Sequence, residues 1–339
     1  MKKILAILLM LLISFNLVAC TGDNKKTITV YTAIEEEYIG AYLDDFHAKH
    51  PDIKVNLVRD SSGVVASKLL IEKDNPRADV VWGLAASNMV FLDKYGVFEP
   101  YKVPNLNELN EIFYDTANEV PHWVANGGWM NIFAVNEKEL EDKGIKVPTN
   151  YEDLLSEDFR GSLAMPNPAS SGTGYLIVSG LIQKMGEEKA WEYMDELNKN
   201  MKEYSHSGTA PVKQAAQGEL LIGVGADYTA IQMEEKGEHI KTIFPEGGSG
   251  WELEVSALIS NDKITEEAKI FYEWCVSEVM LKNYADNRTL TPLKGYTTKL
   301  GMAYDGDITK QMIPYNLESV SKERNRILKE WEKRYGVGE

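Results

Sequence analysis

The sequence predicts an α/β protein built as two lobes. Three observations carry this expectation. Short β-rich runs alternate with helical runs along almost the whole chain. The length, 339 residues, exceeds what one hydrophobic core usually holds. The composition, 44% hydrophobic and 26% charged, is that of a chain folded throughout, with no low-complexity tract or internal repeat to set aside.

The first half reads as strand-helix repeats. Residues 27–31 (TITVY) form a β-rich run. A helix follows over 35–50, with Tyr38, Tyr42, Leu43 and Phe46 on one face, and Pro51 stops it. Residues 53–58 are the second strand. Ser61-Ser62-Gly63 leads into a helix carrying Val65, Leu69 and Leu70. Residues 78–82 (ADVVW) are the third strand, and the helix through Met89, Phe91 and Leu92 ends at Gly96. This rhythm implies a parallel sheet with helices on its faces.

The second half repeats the grammar. Strands are expected at 128–135, 162–165, 220–224, 240–244 and 251–260. Helices are expected at 154–159, from the 166–174 loop to Met185, and over 188–200, where Trp191, Met194 and Leu197 keep helical spacing. From Thr265 the chain is mainly helical, broken around 290–295.

The N-terminus carries an export signal. Lys2 and Lys3 precede an apolar run over 4–15, too short to span a bilayer comfortably. The run ends in Leu17-Val18-Ala19-Cys20, which resembles a bacterial lipobox. Residues 1–19 are therefore expected to be a signal peptide, Cys20 the lipidated first residue, and 20–26 a tether. Cys275 is the only other cysteine and sits in the helical pattern Phe271, Trp274, Cys275. A buried thiol is expected there, with no disulfide and no Cys-based zinc site.

Loss of Lys2 and Lys3 takes the formal charge from −16 to −18. Nucleic acid is thereby an unsuitable partner, because phosphate contacts need clustered Lys and Arg. The five histidines are scattered without metal-ligand spacing, and no nucleophile-base set, Walker motif or dinucleotide fingerprint occurs. An enzyme is not expected, nor a cofactor, nor a metal.

The strand-to-helix loops are rich in small hydroxyl residues. They are Tyr31-Thr32-Ala33, Ser61-Ser62-Gly63, 82–87 with Trp82 and Ala85, 167–174 with Ser170, Ser171, Gly172 and Thr173, and 205–209. A Ser/Gly/Thr loop at a helix N-terminus can hold an anion with backbone N–H groups and hydroxyls. The plain alternative is helix capping. The 170–173 segment, with consecutive hydroxyls and two glycines nearby, exceeds what one cap requires. Asp227-Tyr228 and Trp251-Glu252 each join an aromatic to a carboxylate, a pairing that suits an amine. Surface acids beside core aromatics are the plain alternative. The Glu35-Glu36-Glu37 run reads as an exposed first helical turn.

Four stretches resemble the type II periplasmic-binding-protein family, and within it the 2-aminoethylphosphonate-binding proteins. They are ADVVWGLAAS (78–87), MPNPASSGTGY (165–175), YSHSG (204–208) and IFPEGGSGWELE (243–254). The resemblance implies hinged lobes around a central cleft, lobe 1 being 27–124 plus 252–339 and lobe 2 being 125–251. It implies a monomeric solute-binding protein that hands a small phosphonate to an ABC permease in the membrane. Hydroxyl loops would hold the phosphonate, and acidic and aromatic groups the amine. The family pattern after the 220–224 strand carries a basic residue following the tyrosine, whereas Tyr228 here is followed by Thr229. A ferric-iron-binding protein of the same superfamily and a solute-sensing lipoprotein are the alternatives. Iron binders use adjacent tyrosines, and no Tyr-Tyr pair occurs.

Overall fold

The computed structural model describes residues 26–303 and 307–336. The expected signal peptide and Cys20 lie outside these residues, as does all of the tether but Lys26. Nine strands make one continuous sheet in the order β2-β1-β3-β9-β4-β7-β5-β6, with β8 also paired to β4. The strands are β1 (Lys26–Thr32), β2 (Ile53–Arg59), β3 (Val80–Ala85), β4 (Val124–Val135), β5 (Leu163–Pro166), β6 (Met201–Ser205), β7 (Ile222–Ala226), β8 (Lys241–Ile243) and β9 (Trp251–Leu258).

The sheet has two parallel ends and an antiparallel middle. At one end β1 pairs in parallel with β2 and β3. At the other β5 pairs in parallel with β6 and β7. The long strands β4 and β9 run antiparallel between them, with Trp129 opposite Glu252. The first part of β4 pairs with β9, and its second part, from Asn131, pairs with β7. The chain passes between the two halves on these two strands.

Twelve α-helices complete the described residues. The cleft is served by α1 (Glu36–Lys49), α2 (Ser62–Glu72), α3 (Ala86–Asp93), α5 (Gly172–Met185), α7 (Ala210–Ala216) and α8 (Asp227–Glu235). Between them come α4 (Glu137–Lys143) and α6 (Glu187–Asn198), and after them α9 (Glu266–Cys275), α10 (Glu278–Ala285), α11 (Lys299–Ala303) and α12 (Leu317–Tyr335). The first half buries Val30, Phe46, Trp82, Phe271 and Tyr284 in one core. The second half buries Phe133, Leu163, Tyr175 and Trp191 in another. Cys275 is buried and free, and burial pushes its thiol well above the ordinary value.

Three features differ from the sequence reading. β6 was not expected, because it is an edge strand with half-exposed side chains and shows no apolar alternation. The expected helix over 154–159 is two 3₁₀ turns, Glu152–Leu155 and Glu157–Phe159. Helix α12 does not belong to the first half alone. Its Val320, Ile327 and Trp331 are buried in the second core, while Arg324 Nε donates to Asn88 Oδ1 of α3 at 2.7 Å. Helix α12 therefore packs against both halves.

Trp331 is 1% exposed and packs edge-on to Tyr204 at 4.8 Å. Trp331→Ala is expected to cost about 3–5 kcal/mol, read by denaturant unfolding. A loss below about 1 kcal/mol would mean that α12 is only loosely docked.

Candidate functional site

A cleft opens where the loops after β1, β2 and β3 meet those after β5, β6 and β7. It encloses about 490 Å³ with its open mouth. A larger cavity, about 1210 Å³ with its mouth, lies by Trp251, Tyr296 and Met312, where Asp307 is the only charged lining residue among the described residues. The smaller cleft gathers Glu35, Arg59, Glu254 and six hydroxyl side chains. A ligand site needs convergent polar groups as well as space, and the smaller cleft has the charged ones.

One group of lining residues is the hydroxyl loops. Ser61 stands at the N-terminus of α2 but makes no side-chain cap there, and its hydroxyl donates to His206 O across the cleft at 3.2 Å. Ser62 Oγ accepts from Ala85 N at 3.0 Å and from Asn88 Nδ2 at 2.9 Å, which leaves its O–H for an acceptor. Ser171 caps α5 by accepting from Gly174 N at 3.3 Å. Thr173, Ser207 and Gly208 face the same space. Arg59 lines it too, its Nε donating to Ile34 O at 2.9 Å. An anion here meets two helix N-termini, several hydroxyls and one guanidinium.

The second group is ionic. Arg288 is fully buried. Its Nε and Nη2 donate to Glu254 Oε2 at 2.8 and 2.6 Å, and Nη2 also reaches Glu35 Oε2 at 2.9 Å. The guanidinium lies over the Tyr228 ring at 4.2 Å, and the Tyr228 hydroxyl donates to Glu35 Oε1. Burial pulls the Arg288 guanidinium's pKa down, but Glu254 and Glu35 outweigh it and leave it raised. Burial lifts the Glu254 carboxyl against the pull of Arg288. Its Oε1 has no hydrogen-bond partner, and neither has Trp129 Nε1. Both residues line the cleft.

Of the residues expected from sequence, Ser61, Ser62, Ala85, Ser171, Gly172, Thr173 and Tyr228 line this cleft. Ser170 and Gly63 meet at its lip, where Gly63 N donates to Ser170 O at 2.8 Å. The other five do not line it. Tyr31 is buried and its hydroxyl donates to Glu72 at 2.9 Å. Thr32 is buried, its hydroxyl donating to Trp82 O at 2.7 Å. Trp82 is a core residue bonded through Nε1 to Tyr284. Asp227 accepts from Thr289 Oγ1 at 2.6 Å, and burial lifts its carboxyl to about 7. Glu252 accepts from Leu253 N at 2.9 Å and from Ser87 N at the start of α3, and burial lifts it also to about 7. Glu35, Arg59, Trp129 and Glu254 line the cleft as well, and Arg288 bonds the two carboxylates; none of the five is among the ligand residues expected from sequence. Outside the cleft, Asp93, Asp115 and His122 come together, but His122 Nδ1 and Asp93 Oδ1 bond each other at 2.6 Å.

Residues 75–316 match the family described as bacterial extracellular solute-binding protein. The chain belongs to that family. Its members are substrate-binding proteins of ABC importers and not enzymes. No described helix of this solute-binding protein is long and apolar enough to cross a membrane. It is similar to the periplasmic binding protein AfuA of Actinobacillus pleuropneumoniae, solved with exogenous fructose-6-phosphate bound. The TM-score is 0.84 and the identity 27%, over 93% of this chain and 100% of that one. It is 24% identical to a putative 2-aminoethylphosphonate-binding periplasmic protein of Salmonella typhimurium, over 71% of this chain and 70% of that one. An apo ferric ion-binding protein of Pasteurella haemolytica shares the fold alone, at 16% identity and a TM-score of 0.74 over 92% of this chain and 98% of that one.

The halves touch across the cleft through glycines. A Cβ on Gly63 would stand 2.4 Å from Ala169 O, and one on Gly172 would stand 2.8 Å from the Ala85 Cβ. Gly63→Ala should therefore hold the halves apart. Affinity for any ligand that both halves grip is expected to fall, with the radius of gyration at saturation above wild type in small-angle scattering. Wild-type affinity and compaction would show that this contact does not govern closure.

Proposed function

We propose that the protein captures 2-aminoethylphosphonate between its halves and hands it to an ABC permease. The observation that supports this is the pairing, within one small cleft, of two unlike groups. Hydroxyls, helix N-termini and Arg59 suit a phosphonate. Glu35 and Glu254 carry two negative charges against the single positive charge of Arg288, and one carboxylate oxygen is unpartnered. That excess suits one ammonium group.

Ligand contacts to both halves would shift the population toward a closed form that the permease reads. Lipid on Cys20 would keep the protein at the membrane and raise its local concentration there. Cys20→Ala is expected to release the protein in soluble form with ligand affinity unchanged; retention on salt-washed membranes would refute the anchor. Iron is disfavoured because Tyr228, the only cleft-lining tyrosine among the described residues, already donates its hydroxyl to Glu35.

Calorimetric titration tests the ligand. A hydrogen bond to a charged group contributes about 1.5–3 kcal/mol, so 2-aminoethylphosphonate should bind about tenfold to a hundredfold more tightly than ethylphosphonate, which lacks the amine. Thr173→Val and Ser62→Ala should weaken both. Tighter binding of fructose 6-phosphate or ferric citrate would overturn the reading.

A further inference from the structure

Arg288 lies in a short connection after α10. It is fully buried, and its partners are polar or aromatic groups of the chain itself. Two carboxylates face it, Glu254 from the crossing strand β9 and Glu35 from just before α1. Two aromatic rings flank it, Tyr228 at 4.2 Å and Tyr38 at 5.5 Å. Nη1 is held by Asn287 O at 2.9 Å. Paired carboxylates with two ring faces are the chemistry that recognises a cation. Here the cage is filled from within the chain.

We infer that Arg288 is a resident cation which sets the charge the cleft accepts. It ties up Glu254 Oε2 and Glu35 Oε2, and Tyr228 takes Glu35 Oε1. Glu254 Oε1 is left as the carboxylate oxygen without a partner. The cleft therefore admits one small cationic or hydrogen-bond-donating group and has no vacant cage for a second. Glu254 needs Arg288 to stay ionised. Without that cation the buried Glu254 carboxyl tends to take up a proton.

The effect on ligand rests on the phosphonate reading, but the cage does not. Arg288→Gln vacates the cage. Its melting temperature should fall, and millimolar guanidinium chloride should restore part of the loss where sodium chloride at equal ionic strength does not. That measurement uses no other ligand. Titration of 2-aminoethylphosphonate into Arg288→Gln near neutral pH should release protons, seen as a binding heat that changes with the buffer's ionisation enthalpy. Wild type should show a smaller release, from the phosphonate alone, and guanidinium should return the variant to that level. Equal responses to the two salts would overturn the resident-cation assignment. So would proton release identical to wild type. Should Arg288→Gln not fold, Arg288→Lys decides. A folded Lys variant that keeps the wild-type preference for 2-aminoethylphosphonate over ethylphosphonate supports a role through charge, and loss of that preference overturns it. If wild type binds neither phosphonate, the function proposed above fails while the guanidinium comparison still judges the cage.

Discussion

The molecule turns on one buried guanidinium. Arg288 joins Glu254 on a crossing strand, Glu35 at the entrance to α1 and the ring of Tyr228 at the start of α8. Those elements come from both halves and from the strand between them. Taking such charges out of water is costly, and removing one partner of a buried pair typically costs about 3–5 kcal/mol. The arrangement therefore persists only if the halves approach closely enough to complete it. The same cluster that holds the halves in register forms the acidic side of the cleft.

The rest of the site follows from how strands end. β1, β2 and β3 are parallel, so their C-terminal ends open at one edge, and the same holds for β5, β6 and β7. In open α/β sheets that edge is where ligands bind. The antiparallel middle, β4 on β9, sets the two edges to face each other across a narrow space. Small residues at the contact, Gly63 and Gly172, permit backbone approach that a side chain would block. Hydroxyls and N–H groups converge on the space from both sides without needing a cluster of lysines.

Much of this was legible before any coordinates. Alternating β-rich and helical runs located eight of the nine strands, because most are buried on both faces and read as apolar runs. Serine loops before helices located Ser61, Ser62, Ser171 and Thr173. The acidic side was not legible. Arg288 stands 34 positions from Glu254 and 253 from Glu35, and no local pattern links them. Glu252 and Glu254 alternate along one strand, and only packing decides that the first meets the start of α3 and the second meets Arg288. Trp82 and Tyr31 read as ligand platforms because an aromatic at a strand end fits either a core or a cleft. Here both are core.

A crystal structure of the protein grown with 2-aminoethylphosphonate tests the central claim most directly. The account predicts phosphonate oxygens against Ser62, Thr173 and Arg59, with the amine at hydrogen-bond distance, about 3 Å, from Glu254 Oε1. A phosphonate paired with Arg288, or an amine directed to solvent, would contradict it.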